Sequence, residues 1–78
     1  MVIAYVLMTV RHGTNEEVAK KLMKLIEVKE LHILYGQYDI IIKVDIKDVK
    51  ELDTFIFKKV KVVAGVESTE TLISSDVV

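Results

Sequence analysis

The 78-residue chain contains no cysteine. That excludes a disulfide framework and a thiolate metal site, and nothing calls for an oxidising compartment, so the cytoplasm is the expected location. Charge of one sign is missing as well: 11 Lys and Arg stand against 12 Asp and Glu, a formal net charge of −1. Without a basic stripe there is no phosphate-neutralising surface, and direct nucleic-acid binding is not expected. No Ser-His-Asp set, glycine-rich phosphate loop or pair of catalytic carboxylates can be assembled with any specificity. His12 and His32 are far apart, without i, i+4 spacing or clustered carboxylates, so neither a zinc site nor another cofactor is expected. The apolar opening MVIAYVLMTV lacks a basic segment before it and a small-residue cleavage site after it, and it is too short to span a bilayer. It reads as a strand, and no membrane partner is expected.

What is present is apolar side chain in excess. Hydrophobic residues make up 51% of the chain, while a domain of this size buries only about 60–65% of the surface its unfolded chain exposes. That is more apolar surface than so small a sphere readily hides, which argues for a partner.

Val2 to Val10 is β-rich and uncharged, with Ile3, Tyr5 and Leu7 on one parity and Val2, Ala4, Val6 and Met8 on the other. A strand of this kind is covered on both faces. Thr14 and Glu17 have capping-box spacing, and Val18, Leu22, Leu25 and Ile26 form one stripe, which predicts a helix from about Asn15 to Glu27. Val28 to Tyr35 and Tyr38 to Ile46 read as strands joined by a type II′ turn at Gly36-Gln37. That register sets Ile33 opposite Ile40 and Leu31 opposite Ile42 on an apolar face, with Leu34 opposite Asp39, His32 opposite Ile41 and Glu30 opposite Lys43 on the other. Asp48 and Glu51 repeat the capping spacing, and Val49, Leu52, Phe55, Ile56 and Val60 make a second helical stripe. Lys58, Lys59 and Lys61 then complement the helix dipole rather than mark a nucleic-acid patch. After Gly65, Val66 to Ile73 is a fourth and more polar strand.

The order β-α-β-β-α-β predicts an α+β, ferredoxin-like sandwich: a four-stranded antiparallel sheet with strands one and three central and both helices on one face. The other face is left bare, offering either the Val and Met row of strand one with Ile41 or the reverse parity. A second copy of the chain covers it most economically, as a symmetric homodimer.

The segments GQYDIIIKV, followed by a capped helix, and AGVESTETLIS resemble the C-terminal effector-binding (RAM) domain of the Lrp/AsnC family of regulators, over almost the whole chain. The residues that carry the likeness are Gly36, Tyr38 and Asp39 in the hairpin and Gly65, Val66, Ser68, Thr69, Glu70 and Thr71 near the end. The resemblance implies a dimer that assembles into octamers or similar rings and binds small effectors, usually amino acids, in clefts between dimers. It implies ligand contacts from Tyr35, Gly36, Gln37, Tyr38 and Asp39, with others from Ser68, Thr69 and Thr71. Position 37 is Gln where the family commonly has an acidic residue. The family's helix-turn-helix domain has no counterpart in these residues, so the expectation is a stand-alone, single-domain version acting by itself or with full-length homologues.

Each of these residues also has a plainer reading. Asp39 suits the three donors of an ammonium group, yet it equally caps a hairpin or pairs with a lysine of a neighbouring subunit. Gly36 answers the turn's positive φ, Tyr35 and Tyr38 form a cross-strand pair, and Ser68, Thr69 and Thr71 are ordinary strand formers. The expectation is a binding module, not an enzyme. The rival is a small dimeric α+β-barrel enzyme of the oxygenase or isomerase type, in which His32 or His12 is the best candidate base.

Overall fold

The computed structural model describes residues 1–75. Its elements run β1 (Val2–Val10), α1 (Asn15–Met23), β2 (Val28–Ile33), β3 (Ile40–Ile46), α2 (Val49–Phe55), a π-helical continuation of α2 over Ile56–Val60, and β4 (Val66–Ile73). The uncharged β1 pairs antiparallel with β3 on one side and β4 on the other, and the sheet order is β2-β3-β1-β4. This is the ferredoxin-like arrangement, with β1 and β3 central. No helix among the described residues is long and apolar enough to cross a membrane.

Side-chain alternation along the strands decides the layers. Ala4, Val6, Met8 and Val10 of β1 and Ile40, Ile42, Val44 and Ile46 of β3 are buried. They form one core with Val18 and Leu22 of α1, Leu52 and Phe55 of α2, and Ile56 and Val60 of the π turn. Both helices therefore lie on one face of the sheet. Fully burying a side chain such as Met8 or Ile42 contributes about 1.5–3 kcal/mol, and a one-residue slip would turn a whole row outward, so the register is strongly specified. Neither parity combination expected from the sequence holds as stated: the Val and Met row of β1 faces the helices, while Ile41 of β3 lies on the outer face opposite Leu7, because Val6 and Met8 pair with Ile42 and Ile40 instead. The outer face carries Tyr5, Leu7 and Thr9 of β1, opposite Lys43 and Ile41 of β3 and Leu72, Glu70 and Ser68 of β4.

Two local expectations about α1 are corrected. Helix α1 stops at Met23, not Glu27, leaving Ile26 83% exposed. The Thr14 side chain does not cap it. The Thr14 hydroxyl donates instead to the Arg11 carbonyl at 2.7 Å, within the turn at Gly13. Asp48, by contrast, accepts from the Glu51 N–H at 2.8 Å and caps α2 as expected.

The β2–β3 hairpin is wider than a two-residue turn. Its strands end at Ile33 and begin again at Ile40, and the connection is Leu34 to Asp39. The register nonetheless stands, with Ile33 opposite Ile40, Leu31 opposite Ile42 and Glu30 opposite Lys43. Gly36 has φ +144°, so a glycine is required there, though in a loop rather than a tight turn. The reason for the width lies in Asp39, which turns toward β1 instead of continuing the β2–β3 ladder past Leu34.

The second helical stripe is buried except for Val49, and it ends in the π turn, where the Lys61 N–H donates to the Ile56 carbonyl at 2.9 Å. Lys59, in that turn, reaches back to Glu27 just before β2, with Nζ 2.7 Å from Oε2. Burial pushes the Glu27 carboxyl up, but the hydrogen bond from Lys59 and the charges of Lys59 and Lys29 outweigh this and hold it below its ordinary value.

Candidate functional site at the hairpin end of the sheet

The chemistry-bearing residues gather where β1 ends, β3 begins and β4 begins. At Val10 the β1 backbone runs past the start of β3, and its N–H has no β3 carbonyl to meet. Asp39 fills the gap: its backbone N–H donates to the Met8 carbonyl at 2.9 Å, and its Oδ2 accepts from the Val10 N–H at 2.8 Å. The Asp39 carbonyl also takes the Leu34 N–H at 2.8 Å, closing the base of the loop. Asp39 is thus a structural bracket with one carboxylate oxygen committed to the backbone.

Tyr38 reaches in the other direction. Its hydroxyl donates to Oε1 of Glu70, tying the loop on β3 to β4 across the end of β1. This hydrogen bond, with a smaller contribution from burial and the Glu70 charge, raises the Tyr38 phenol above its ordinary value. Beside it the hydroxyls of Thr9 and Ser68 share a hydrogen bond of 2.6 Å. Tyr38, Asp39, Glu70, Ser68 and Thr9 therefore form one polar group at the edge of the uncovered face. Gly36 and Gln37 are exposed, and Tyr35 is fully exposed at the loop tip, so the cross-strand pairing of Tyr35 with Tyr38 does not form.

The β4 residues divide. Ser68 and Glu70 stand opposite Thr9 and Leu7 on the outer face. Thr69 and Thr71 point to the helix side, where they line a groove with Leu52, Asp53 and Ile56. Alternation along Val66–Ile73 already separates the two pairs, and in combination with the β1 partners it would have selected Thr9 and Glu70, neither of which the sequence reading placed among the ligand contacts.

His32 is exposed and lies 3.6 Å from Glu30, whose other oxygen meets Lys43 at 3.4 Å. It belongs to a surface charge cluster on β2 and β3. His12 is exposed in the β1–α1 turn. Among the described residues no group of three or more His, Asp or Glu side chains is placed to hold a metal ion.

Comparisons with known proteins agree on one family. Residues 3–78 match the model of the Lrp/AsnC ligand binding domain. The HTH-type transcriptional regulator FL11 of Pyrococcus furiosus is 38% identical over 72 residues, which is 92% of this chain and 47% of the regulator. The chain thus spans about half the length of the curated relatives it matches. The crystal structure of FFRP-DM1 superposes with a TM-score of 0.92 at 40% identity, covering 96% of this chain and 100% of that one. The transcriptional regulator NMB0573 of Neisseria meningitidis, solved as an L-Met complex, shares the fold at 18% identity with a TM-score of 0.89, covering 99% of this chain and 51% of that one. By fold, motif and sequence together, the chain belongs to the Lrp/AsnC ligand-binding domain family.

Proposed function

We propose that the chain is an effector-binding and assembly module that takes up a free amino acid at the hairpin end of its sheet. It dimerises through the outer sheet face, and its dimers assemble into octamers or similar rings. Its regulatory output runs through these assemblies, either of this chain alone or mixed with full-length homologues. The observation that carries the reading is the position of Asp39: a carboxylate with one oxygen fixed by Val10 and the other uncommitted, set beside Tyr38, Glu70 and Ser68 at the rim of a face that no helix covers. An α-ammonium suits the carboxylates, and the loop N–H groups near Gly36 and the Ser68 hydroxyl suit an α-carboxylate. The L-Met complex of NMB0573 supports an amino acid as the ligand class.

The outer face supports the dimer. It exposes Leu72 at 48% beside Leu7 and Ile41, apolar surface that a second copy would cover. Native mass spectrometry with and without a panel of free amino acids reads subunit number and bound ligand together. Calorimetry on Asp39→Asn, which keeps the acceptor for Val10 but removes the charge, should show binding weakened by about tenfold or more with the dimer intact. Equal affinities would remove Asp39 from the site.

A further inference from the structure

The outer sheet face carries one sign of charge in excess. The strand register puts three carboxylates on it, Glu30 of β2, Asp45 of β3 and Glu70 of β4, against a single ammonium, Lys43 of β3. Lys29 does not offset them, because it stands at the bulge in β2 and donates to the Ile26 carbonyl at 3.2 Å. The nearly neutral total of −1 for the whole chain therefore conceals an acidic sheet face. Two copies laid face to face bring that excess together twice over. Apolar contact through Leu7, Ile41 and Leu72 favours the pairing, and the like charges oppose it.

His32 stands on the same face, on the edge strand β2 and opposite Ile41. Its side chain is 67% exposed, with Nε2 3.6 Å from Glu30, whose other oxygen lies 3.4 Å from Lys43. The charged groups around it are Glu30 on its own strand, Lys43 on β3 and, beyond Ile41 and Leu7 in the same row across the sheet, Glu70 on β4. Asp39, next along the hairpin, is turned away to the Val10 N–H. Histidine is the side chain whose ordinary pKa, about 6.5, falls where carboxylates and lysines both keep their charge. We infer that His32 is a proton-operated control on the pairing of outer faces: neutral, it leaves two acidic faces in mutual repulsion, and protonated, it offsets one carboxylate in each copy so that the pair tightens. The inference rests on the face-to-face dimer proposed above. A charged imidazole is harder to strip of water, which acts in the opposite sense. That cost is the smaller one here, because an exposed side chain on an edge strand keeps its hydration at the rim while the repulsion acts across the whole face.

The test is sedimentation equilibrium of the full chain at about pH 8 and about pH 5.5, where an ordinary imidazole is neutral and charged respectively. The dimer should tighten about tenfold on acidification, and at the higher pH it should also tighten when salt is raised from about 0.05 to about 0.5 M, because screening relieves the repulsion. His32→Gln, which keeps His12 and the terminal amino group, should abolish the acid step. His32→Lys should hold the dimer at its acid strength at both pH values. Both replace an exposed side chain, and circular dichroism verifies that the fold is kept. A chain that stays monomeric under every condition removes the dimer and this inference with it. A dimer of equal strength at both pH values leaves the dimer standing and overturns the role of His32 alone. An acid step that survives in His32→Gln, or a dimer that salt loosens at the higher pH, overturns it as well.

Discussion

The Asp39 carboxylate accepts the Val10 N–H at 2.8 Å, while the Asp39 N–H donates to the Met8 carbonyl at 2.9 Å. A side chain thus supplies the acceptor that β3 would offer had it run one residue further, and the strand is free to leave for the loop. This explains why a carboxylate stands between a glycine loop and the run Ile40 to Ile42. Asp39→Ala should leave the Val10 N–H unpaired and lower stability by about 1–3 kcal/mol, read as a lower urea midpoint. Asp39→Asn keeps an oxygen acceptor and should restore most of the loss. An alanine variant as stable as wild type would show that solvent satisfies Val10 equally well.

The two faces of the sheet predict opposite outcomes for one kind of substitution. Val6 is fully buried under the helices, and Asp there would leave an uncompensated charge in the core, costing about 3–5 kcal/mol. Val6→Asp should unfold the chain by circular dichroism. Ile41 is on the outer face and only half-buried in one chain, so Ile41→Asp should keep the secondary structure yet sediment as monomer. If Ile41→Asp remains a dimer, the copies meet elsewhere.

Periodicity made the strands and the layers legible, because burial of a complete row of side chains dominates the energy of so small a domain. β1 and β4 were readable to the residue, and the pairing of Leu31 with Ile42 followed from the hairpin pattern. Where a single polar group chooses between local partners, the pattern carries no such weight. Thr14 had the spacing of a cap, but burial near Gly65 turned its hydroxyl to the Arg11 carbonyl. Asp39 read as a ligand anchor or a cap, and only the register of β1 past β3 shows which backbone group it meets. Ser68, Thr69 and Thr71 resembled one cluster as a string, whereas the pleat puts Ser68 on the face opposite the other two. The π turn over Ile56–Val60 has no periodic signature at all.

Two glycines with positive φ should respond differently to alanine. At Gly65, with φ +104°, a Cβ would sit 2.9 Å from both the Thr14 hydroxyl and a Val18 methyl, in addition to the backbone strain. At Gly36, with φ +144°, a Cβ meets nothing within 4 Å. Gly36→Ala should therefore lower stability only by the backbone term, on the order of 1–2 kcal/mol. Gly65→Ala should lower it further because Thr14 and Val18 anchor α1 and cannot both yield. Thermal melts of the two variants side by side decide this, and equal losses would mean that α1 shifts freely.

Tyr38 and Glu70 close the rim of the hairpin-end site, and their link depends on pH with a definite sign. The hydrogen bond to Glu70 raises the folded-state pKa of the phenol above its ordinary value. The contribution of the contact is therefore fully present below the ordinary phenol range and is lost as pH rises through the folded-state value, when a phenolate would face a carboxylate. In a Tyr5→Phe, Tyr35→Phe background Tyr38 is the remaining tyrosine of the three, and its ionisation can be followed alone by ultraviolet absorbance. Glu70→Gln removes the charge but leaves an acceptor, and it should bring the titration back down toward the ordinary value. Tyr38→Phe should free the loop outright, increasing hydrogen exchange at the amides of residues 35–38 while the Asp39 bracket to Val10 keeps β1 and β3 paired. An unchanged titration in the Glu70→Gln variant would mean that the loop does not rest on β4 in solution, and Tyr38 would then leave the polar group formed with Glu70.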